Sequence, residues 1–241
     1  MLYHKSVKVG ENFYCYAWMG RGNNCNASLL CHTLRGERPH VLVDPGHIKN
    51  EMGETCFDSL TLAMERDGFK VEDVGLVICT HSHPDHFEAV EPVVERSNAL
   101  VALSREEGEF YANTGSRFYN YFGSKAPQVK PFFYLKEGDL SLGAGNKLAI
   151  KVLSTPGHTP GSISLYLEEP KILISGDVVF PGSVGRTDFP GGSASLLRKS
   201  IDKLSQLDVE YLIPGHSTEA GNIIAGKDKV AHNFHLVKMF I

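Results

Sequence analysis

The sequence is poor in cysteine and contains no long apolar run. Its five cysteines are odd in number and form no CxxC pair, so neither a disulfide framework nor a cysteine zinc site is expected. We predict that most of them are small core residues. No apolar stretch approaches the roughly 20 residues that a membrane span requires, and the first residues lack the pattern of a signal peptide. These absences predict a cytoplasmic protein that does not bind a membrane.

An excess of charge of one sign is missing as well. The 24 lysines and arginines stand against 28 aspartates and glutamates, which gives a formal net charge of −4. A chain so close to neutral gives no reason to expect nucleic acid as a partner. The expected partner is a small-molecule substrate, and a homodimer with a second copy of the chain is left open.

The length and the apolar pattern favour a single α/β domain over residues 1–241. The 241 residues, 42% of them hydrophobic, are sufficient to bury a sizeable core. Short runs rich in valine, leucine and isoleucine predict strands at 26–33, 39–43, 74–80, 100–103, 147–153, 162–167, 171–175 and 209–213. Apolar residues at helical spacing predict helices at 54–66, 193–207 and 227–240.

The strongest functional signal is His81-Ser82-His83-Pro84-Asp85-His86, which directly follows the predicted strand 74–80. In an extended segment alternate residues project to the same side, so His81 and His83 can reach one metal ion. Asp85 and His86 then point toward a neighbouring position. Because imidazole is the commonest metal ligand, four ligand-type side chains in six residues indicate a metal site rather than an ordinary polar loop.

Further ligand-type residues stand downstream, each after an apolar run and next to a glycine. They are His158 after Gly157, Asp177 after Gly176 and His216 after Gly215. A single histidine after a strand is usually a hydrogen-bonded turn residue. Several such strand ends, in a chain that also contains the 81–86 segment, predict that the edges of two sheets converge on one site.

Four motifs taken together resemble the metallo-β-lactamase superfamily. They are HSHPDH at 81–86, TPGHTPGS at 155–162, SGDVVF at 175–180 and PGHS at 214–217. The resemblance runs from about residue 26 to residue 216 and implies the αββα four-layer sandwich of that family. The tract GSVGRTDFPGG at 182–192 resembles the branch that contains glyoxalase II-like hydrolases and persulfide dioxygenases. Only 25 residues follow His216, so the helical glutathione-binding domain of full-length glyoxalase II is not expected.

The resemblance also implies ligands for two divalent metal ions. It assigns His81, His83 and His158 to the first ion, Asp85, His86 and His216 to the second, and Asp177 to a bridge between them. Zinc is the expected metal, with iron or manganese as alternatives. Asp85 and Asp177 are the expected catalytic residues.

Other polar residues have two interpretations each. Asp44 matches an aspartate that orients a ligating histidine in the family, and it is equally suited to form a turn before Pro45. Arg186 and Asp188 could contact substrate, but we interpret them as a structural pair that fixes the loop after Asp177. The histidines without ligand-like context are His4, His32, His40, His47, His232 and His235.

Three functions are compatible with this ligand set. The first is a binuclear hydrolase of a thioester, ester or lactone, of the glyoxalase II kind, since two such ions lower the pKa of a water to about 7. The second is a mononuclear iron persulfide dioxygenase that uses His81, His158 and Asp177. The third is a metal-bound scaffold without turnover, which the complete ligand set argues against.

The segment 104–134 is dense in aromatic residues and has weak periodicity. Its nine aromatic residues are Phe110, Tyr111, Phe118, Tyr119, Tyr121, Phe122, Phe132, Phe133 and Tyr134. Such a number exceeds what a surface loop requires. We predict a helical insertion at the mouth of the site that shapes the substrate pocket. A satellite core or a dimer contact is the alternative.

Overall fold

A computed structural model describes residues 1–143 and 148–241 of the protein. The strands are β1 (His4–Gly10), β2 (Phe13–Trp18), β3 (Ala27–Leu30), β4 (His40–Val43), β5 (Val74–Ile78), β6 (Leu100–Ser104), β7 (Phe133–Leu135), β8 (Gly138–Leu142), β9 (Leu148–Ser154), β10 (Ile163–Leu167), β11 (Ile172–Gly176), β12 (Val179–Phe180), β13 (Ser183–Val184), β14 (Tyr211–Pro214) and β15 (Ile224–Ala225). The α-helices are α1 (Cys56–Arg66), α2 (Pro84–Phe87), α3 (Val90–Ser97), α4 (Arg105–Phe110), α5 (Ser116–Tyr121), α6 (Ala194–Leu204) and α7 (Lys227–Lys238). A 3₁₀ turn spans Val71–Asp73, and a π-helical turn spans Tyr111–Gly115.

The first sheet has the spatial order β1-β2-β3-β4-β5-β6-β7. The strands from β1 to β4 pair antiparallel, whereas those from β4 to β7 pair parallel. Parallel neighbours need a crossover connection, which α1 provides between β4 and β5. Parallel strands are covered on both faces, which explains why β5 is a continuous apolar run (VGLVI) rather than an alternating one.

The second sheet has the order β15-β14-β11-β10-β9-β8. β11 and β14 are parallel and are connected through α6, and the other neighbours in this sheet are antiparallel. A short hairpin of β12 and β13 follows β11.

Apolar side chains on opposite strand faces separate the core into layers. Leu42 of β4 packs with α1 and α3 outside the first sheet, whereas the next residue, Val43, faces the second sheet. In the second sheet Leu165 and Ile174 face the first sheet, and Leu173 packs with α6 and α7 on the outside. The order of the layers is therefore helix, sheet, sheet, helix. The predicted αββα four-layer sandwich is confirmed.

The predicted elements agree with the observed ones best where the apolar pattern is long. The sequence pattern does not predict β1 or β8 individually, because both are edge strands whose sequences, HKSVKVG and GDLSL, are largely polar. The interior and buried strand β2 (FYCYAW) is not predicted individually either. Lys147, the predicted start of the strand at 147–153, lies outside the described residues. All five cysteines are buried and free, as predicted. Among the described helices, none is long and apolar enough to cross a membrane.

The sheets bring the polar motifs together because five strands end at the same edge of the sandwich. Asp44 follows β4, the segment 81–86 comes just after β5, and His158 lies in the turn after β9. Asp177 follows β11, and His216 comes shortly after β14.

The apolar layer between the two sheets contributes to the free energy of unfolding. Leu165 is fully buried there, so Leu165→Ala should lower the free energy of unfolding by about 2–5 kcal/mol through lost contacts and a cavity. Leu196→Ala is the matched control, because Leu196 is exposed on α6 and its loss should cost at most about 0.5 kcal/mol. Urea unfolding of both variants, with a chelator present throughout, measures the difference. Equal losses would contradict the assigned layers.

Candidate metal centre

The 81–86 segment changes backbone conformation halfway along its length. His83 is extended, with φ −64° and ψ 151°, and precedes the first residue of α2. Pro84 occupies that first helical position, where its fixed φ and its missing N–H cost nothing. Asp85 and His86 therefore lie on a helical turn, and the ring centre of His86 is 4.1 Å from that of His81. The sequence prediction of two neighbouring ligand positions agrees with this geometry.

Two glycines allow the strand-end turns to approach each other closely. Gly176 has φ +53°, a left-handed conformation that residues with a Cβ adopt at a cost. A Cβ on Gly215 would lie 2.1 Å from Oδ1 of Asp177, so any larger residue there would displace the carboxylate. The backbone thus holds Asp177 directly against the turn that carries His216.

All seven predicted ligands are brought together by the fold. Their donor atoms form groups in which every atom lies within 4.8 Å of the others. The groups are His81, His83 and His158; His81, His86 and Asp177; and Asp85, His86 and His216. The first and last groups match the two ion positions that the resemblance implies, and the remaining group connects them.

Asp177 lies between the two histidine groups. Its Oδ2 is 3.3 Å from Nε2 of His158 and 3.4 Å from Nε2 of His216. Its Oδ1 is 3.1 Å from Nε2 of His86. A carboxylate that bridges two ions needs this central position, and the bridging role itself stays a prediction.

The buried nitrogens of two histidines fit a bound cation. Nε2 of His81 and Nε2 of His83 are buried and have no hydrogen-bond partner among the described residues. An unsatisfied buried polar atom is costly, and native structures rarely tolerate one without a reason. A metal ion held by these lone pairs would satisfy both nitrogens.

The charge states of the site suit a divalent cation. Burial and the neighbouring imidazole of His158 lower the pKa of His83 to about 3. Its ring is therefore neutral at pH 7 and has a lone pair that a metal ion can bind. Burial alone would raise the pKa of Asp177, but the surrounding histidines hold it well below its usual range. Burial likewise opposes the protonation of His216, yet the carboxylates of Asp177 and Asp85 raise its pKa to about 10. The carboxylates of Asp85 and Asp177 therefore keep a proton on His216. A bound cation would replace that proton.

Hydrogen bonds from outside the group orient the imidazoles. Nδ1 of His158 lies 2.7 Å from the carbonyl oxygen of Arg186, and Nδ1 of His216 lies 3.1 Å from that of Asn24. A carbonyl can only accept, so each Nδ1 must carry the proton. Nε2 is therefore the ring atom that faces the other candidate ligands: Nε2 of His158 lies 2.8 Å from Nδ1 of His83, and Nε2 of His216 lies 3.2 Å from Oδ2 of Asp85.

Asp44 performs the same orienting function for His86. Its Oδ2 is 3.0 Å from Nδ1 of His86 and accepts a hydrogen bond from the Thr80 hydroxyl at 2.6 Å. Oδ1 accepts the Thr80 backbone N–H at 2.8 Å. Of the two sequence interpretations of Asp44, the geometry agrees with orientation of a histidine.

Glu107 connects two of the ligand-bearing loops, a role that the sequence does not indicate. Its fully buried carboxylate accepts hydrogen bonds from the Ser82 backbone N–H at 2.8 Å and the Ser82 hydroxyl at 2.6 Å. It also accepts from the Thr159 hydroxyl at 2.6 Å and the Gly161 N–H at 3.1 Å. Ser82 stands between His81 and His83, and Thr159 follows His158. One side chain therefore fixes both loops of the first group.

His47 also lies at the site, although its sequence context is not that of a metal ligand. Its Nδ1 lies 2.6 Å from Oε2 of Glu88, and the same oxygen accepts the Ile48 N–H at 3.0 Å. His47 lines the cleft over the metal centre together with Asp85 and His216. No feature of the sequence distinguishes this histidine from the structural ones.

Some residues of the aromatic segment 104–134 lie at the site, and others do not. The ring of Phe118 is 5.6 Å from that of His83, and Phe122 lines the same cleft. Tyr119 is buried and donates from its hydroxyl to the Ser82 carbonyl at 2.9 Å. The predicted helical character holds for α4, the π-helical turn and α5, but it is wrong for Phe133 and Tyr134, which belong to β7.

The loop after Asp177 contains the expected structural pair. Nε and an Nη of Arg186 donate to the two carboxylate oxygens of Asp188 at 2.8 and 2.6 Å. The guanidinium also lies 4.0 Å from the ring centre of Phe189.

The metal centre forms the floor of an open cleft of about 460 Å³. His83, Asp85, His158, Asp177 and His216 line it from below. A volume of this size accommodates a small-molecule substrate.

Known proteins share both the sequence pattern and the fold. The sequence profile of the metallo-β-lactamase superfamily matches residues 20–216. The probable metallo-hydrolase MJ0888 of Methanocaldococcus jannaschii is 32% identical over 227 residues, 92% of this chain and 97% of that protein. Hydroxyacylglutathione hydrolase GloC of Haemophilus influenzae is 32% identical over 193 residues, 76% of this chain and 82% of that protein.

A solved structure has a similar fold. TTHA1623 in a di-iron-bound form is 28% identical, superposes with a TM-score of 0.65 and covers 96% of each chain. The profile match includes the stretch from before the 81–86 segment to His216. The chain belongs to the metallo-β-lactamase superfamily, in which glyoxalase II-like hydrolases are among its relatives.

Proposed function

We propose that the protein is a binuclear metallo-hydrolase that cleaves a thioester, ester or lactone with water. The observation that carries this proposal is the position of Asp177 between two complete groups of ligand-type side chains at the floor of an open cleft. His81, His83 and His158 would hold one ion, and Asp85, His86 and His216 would hold the other. Two bound divalent ions supply an activated water at neutral pH and polarise the substrate carbonyl.

The side chains of the site have distinct tasks in this proposal. Asp177 would hold both ions in register, and Asp85, within 3.2 Å of Nε2 of His216, would complete the second position. Asn23 donates to Oδ2 of Asp85 at 2.7 Å, which fixes the orientation of that carboxylate. Asp85 and Asp177 are the residues that we propose as catalytic.

The glyoxalase II-like reaction is supported by the relative GloC, whose name is hydroxyacylglutathione hydrolase. Zinc is the metal that we propose. Iron is the first alternative, because the similar protein TTHA1623 has been solved in a di-iron-bound form. The other candidate is a mononuclear iron dioxygenase that uses His81, His158 and Asp177, of which His158 and Asp177 line the same cleft and His81 is buried behind it.

His216→Ala separates the two reactions. In a binuclear hydrolase this change removes a ligand of the second ion, so metal content should fall by about one ion per chain. Cleavage of a hydroxyacylglutathione thioester should then drop by about 100-fold or more. Elemental analysis and a thiol-release assay measure the two effects. One iron per chain in the unaltered protein, with oxygen consumption on glutathione persulfide that survives His216→Ala, would instead identify the dioxygenase.

Asp177→Ala tests the bridge. Because Asp177 contacts histidines of both groups, its loss should reduce the occupancy of both ion positions, measured as metal per chain after dialysis. Asp188→Ala is the matched control, since Asp188 is an exposed aspartate of the same loop and pairs only with Arg186 in the described contacts. Unchanged metal content in Asp177→Ala would overturn the bridging assignment.

Glu107→Gln tests the brace between the two loops of the first group. A glutamine amide nitrogen cannot accept the hydrogen bonds from Thr159 and Gly161, so a buried donor loses its partner. Metal affinity, measured by competition with a chromophoric chelator, should fall by about 10- to 100-fold. Glu106→Gln changes the exposed neighbour and should leave the affinity unaltered. Equal affinities in the two variants would show that the brace does not position the ligands.

A further inference from the structure

One wall of the cleft consists of phenylalanines from two separate segments. Phe118 and Phe122 come from α5 and the residue after it, and Phe189 comes from the loop after Asp177. The ring centres of Phe118 and Phe189 are 5.4 Å apart, and Phe122 lies 6.3 Å from each of them. We call these three residues the aromatic cradle. None of them is fully buried, so their rings remain available to a ligand.

The aromatic cradle begins directly at the first ligand group. The ring of His83 is 5.6 Å from that of Phe118 and 5.7 Å from that of Phe189. A carbonyl group placed at the metal centre would therefore have apolar surface immediately beside it.

The charge of Arg186, beside the aromatic cradle, is paired with a carboxylate. Arg186 stacks on Phe189 and pairs with Asp188 through two hydrogen bonds, so its guanidinium is occupied on its face and on its edge. The apolar surface also continues outward past the same rings. A second hollow of about 410 Å³ shares Phe118 and Phe189 with the cleft and is lined further by Thr114, Arg117, Tyr121 and Pro190.

Elsewhere the cleft is lined by both polar and apolar residues. Asn23, Lys49 and Glu51 are polar, and Lys49 and Glu51 are exposed. Phe180 and Val184 are apolar, whereas the aromatic cradle brings three rings together beside His83. An apolar acyl group therefore matches the aromatic cradle, and a polar leaving group matches the part of the cleft with Lys49.

We propose that the aromatic cradle binds the apolar acyl group of the substrate, and that the substrates are thioesters with medium-length alkyl or aryl acyl groups. This inference rests on the proposed hydrolase function and names its substrate class. Hydrolysis breaks the C–S bond and forms a bond from the carbonyl carbon to the water oxygen. The products are a carboxylic acid and a thiol, without any change in oxidation state.

The test uses S-acetyl-, S-butanoyl- and S-hexanoyl-N-acetylcysteamine, which differ only in the acyl group. In the metal-loaded protein kcat/KM should rise by about fourfold for each methylene group that the cradle covers. Dissociation constants for the same compounds on metal-free protein, measured by calorimetry, should fall in the same order without turnover. Phe189→Ala and Phe122→Ala should flatten both trends to about twofold or less per methylene group.

Matched controls keep the result interpretable. Phe132→Ala removes a phenylalanine that is 71% exposed and lies outside the cleft, and it should retain the full dependence on acyl length. Phe122 is 44% exposed, so its replacement does not open the core, and Phe122→Leu should restore most of the trend. Circular dichroism verifies that each variant is folded.

The outcomes separate this inference from the proposed function. Turnover of all three thioesters with equal kcat/KM would overturn the cradle and leave the hydrolase intact. Absence of turnover, with binding to metal-free protein that still tightens with acyl length, would overturn the hydrolase and leave the cradle. A dependence on the length of the thiol in a second series, instead of the acyl group, would show that the leaving group occupies the aromatic wall and would overturn the proposal.

Discussion

The structure depends on the burial of imidazoles and carboxylates in one small volume. Each such group is expensive to remove from water unless it is paired, hydrogen-bonded or bound to a metal. Asp177 is paired with histidines on two sides, whereas Nε2 of His81 and of His83 have no hydrogen-bond partner within the described part of the chain. Among the described residues, these two nitrogens and Oδ1 of Asp177 are therefore buried without a hydrogen bond. The fold maintains an arrangement whose remaining cost a bound cation would remove.

Such an arrangement is possible because the surrounding layers are apolar and rigid. Val43, Ile78 and Ile174 are buried between the sheets just before their strands reach the site. The ligands themselves stand on the first residues beyond this core, where the chain leaves the strand and its direction is already fixed. Outer hydrogen bonds, such as that from Nδ1 of His158 to the Arg186 carbonyl, then set the ring orientation. Packing determines where the ligands lie, and hydrogen bonds determine which atom faces inward.

The sequence indicates the candidate ligands more clearly than the residues that hold the ligand loops in place, such as Glu107. The 81–86 segment contains four ligand-type side chains within six residues, and a glycine directly precedes each of His158, Asp177 and His216. Glu107 has no comparable signal, because it stands in an acidic stretch (REEGE) whose other glutamates are exposed. Only the fold shows that its side chain points inward. Edge strands are missed for a related reason: a strand with one exposed side and one unpaired edge needs few apolar residues.

The segment from Ser104 to Phe122 connects the aromatic cradle to the loops that carry the candidate metal ligands. Glu107 holds the loops of His81, His83 and His158, and the Tyr119 hydroxyl donates to the Ser82 carbonyl between two of these ligands. Phe118, the residue before Tyr119, belongs to the aromatic cradle. Adjacent residues of one short helix therefore contact the aromatic cradle and the loop between His81 and His83. The packing of α5 fixes the position of both Phe118 and this ligand loop.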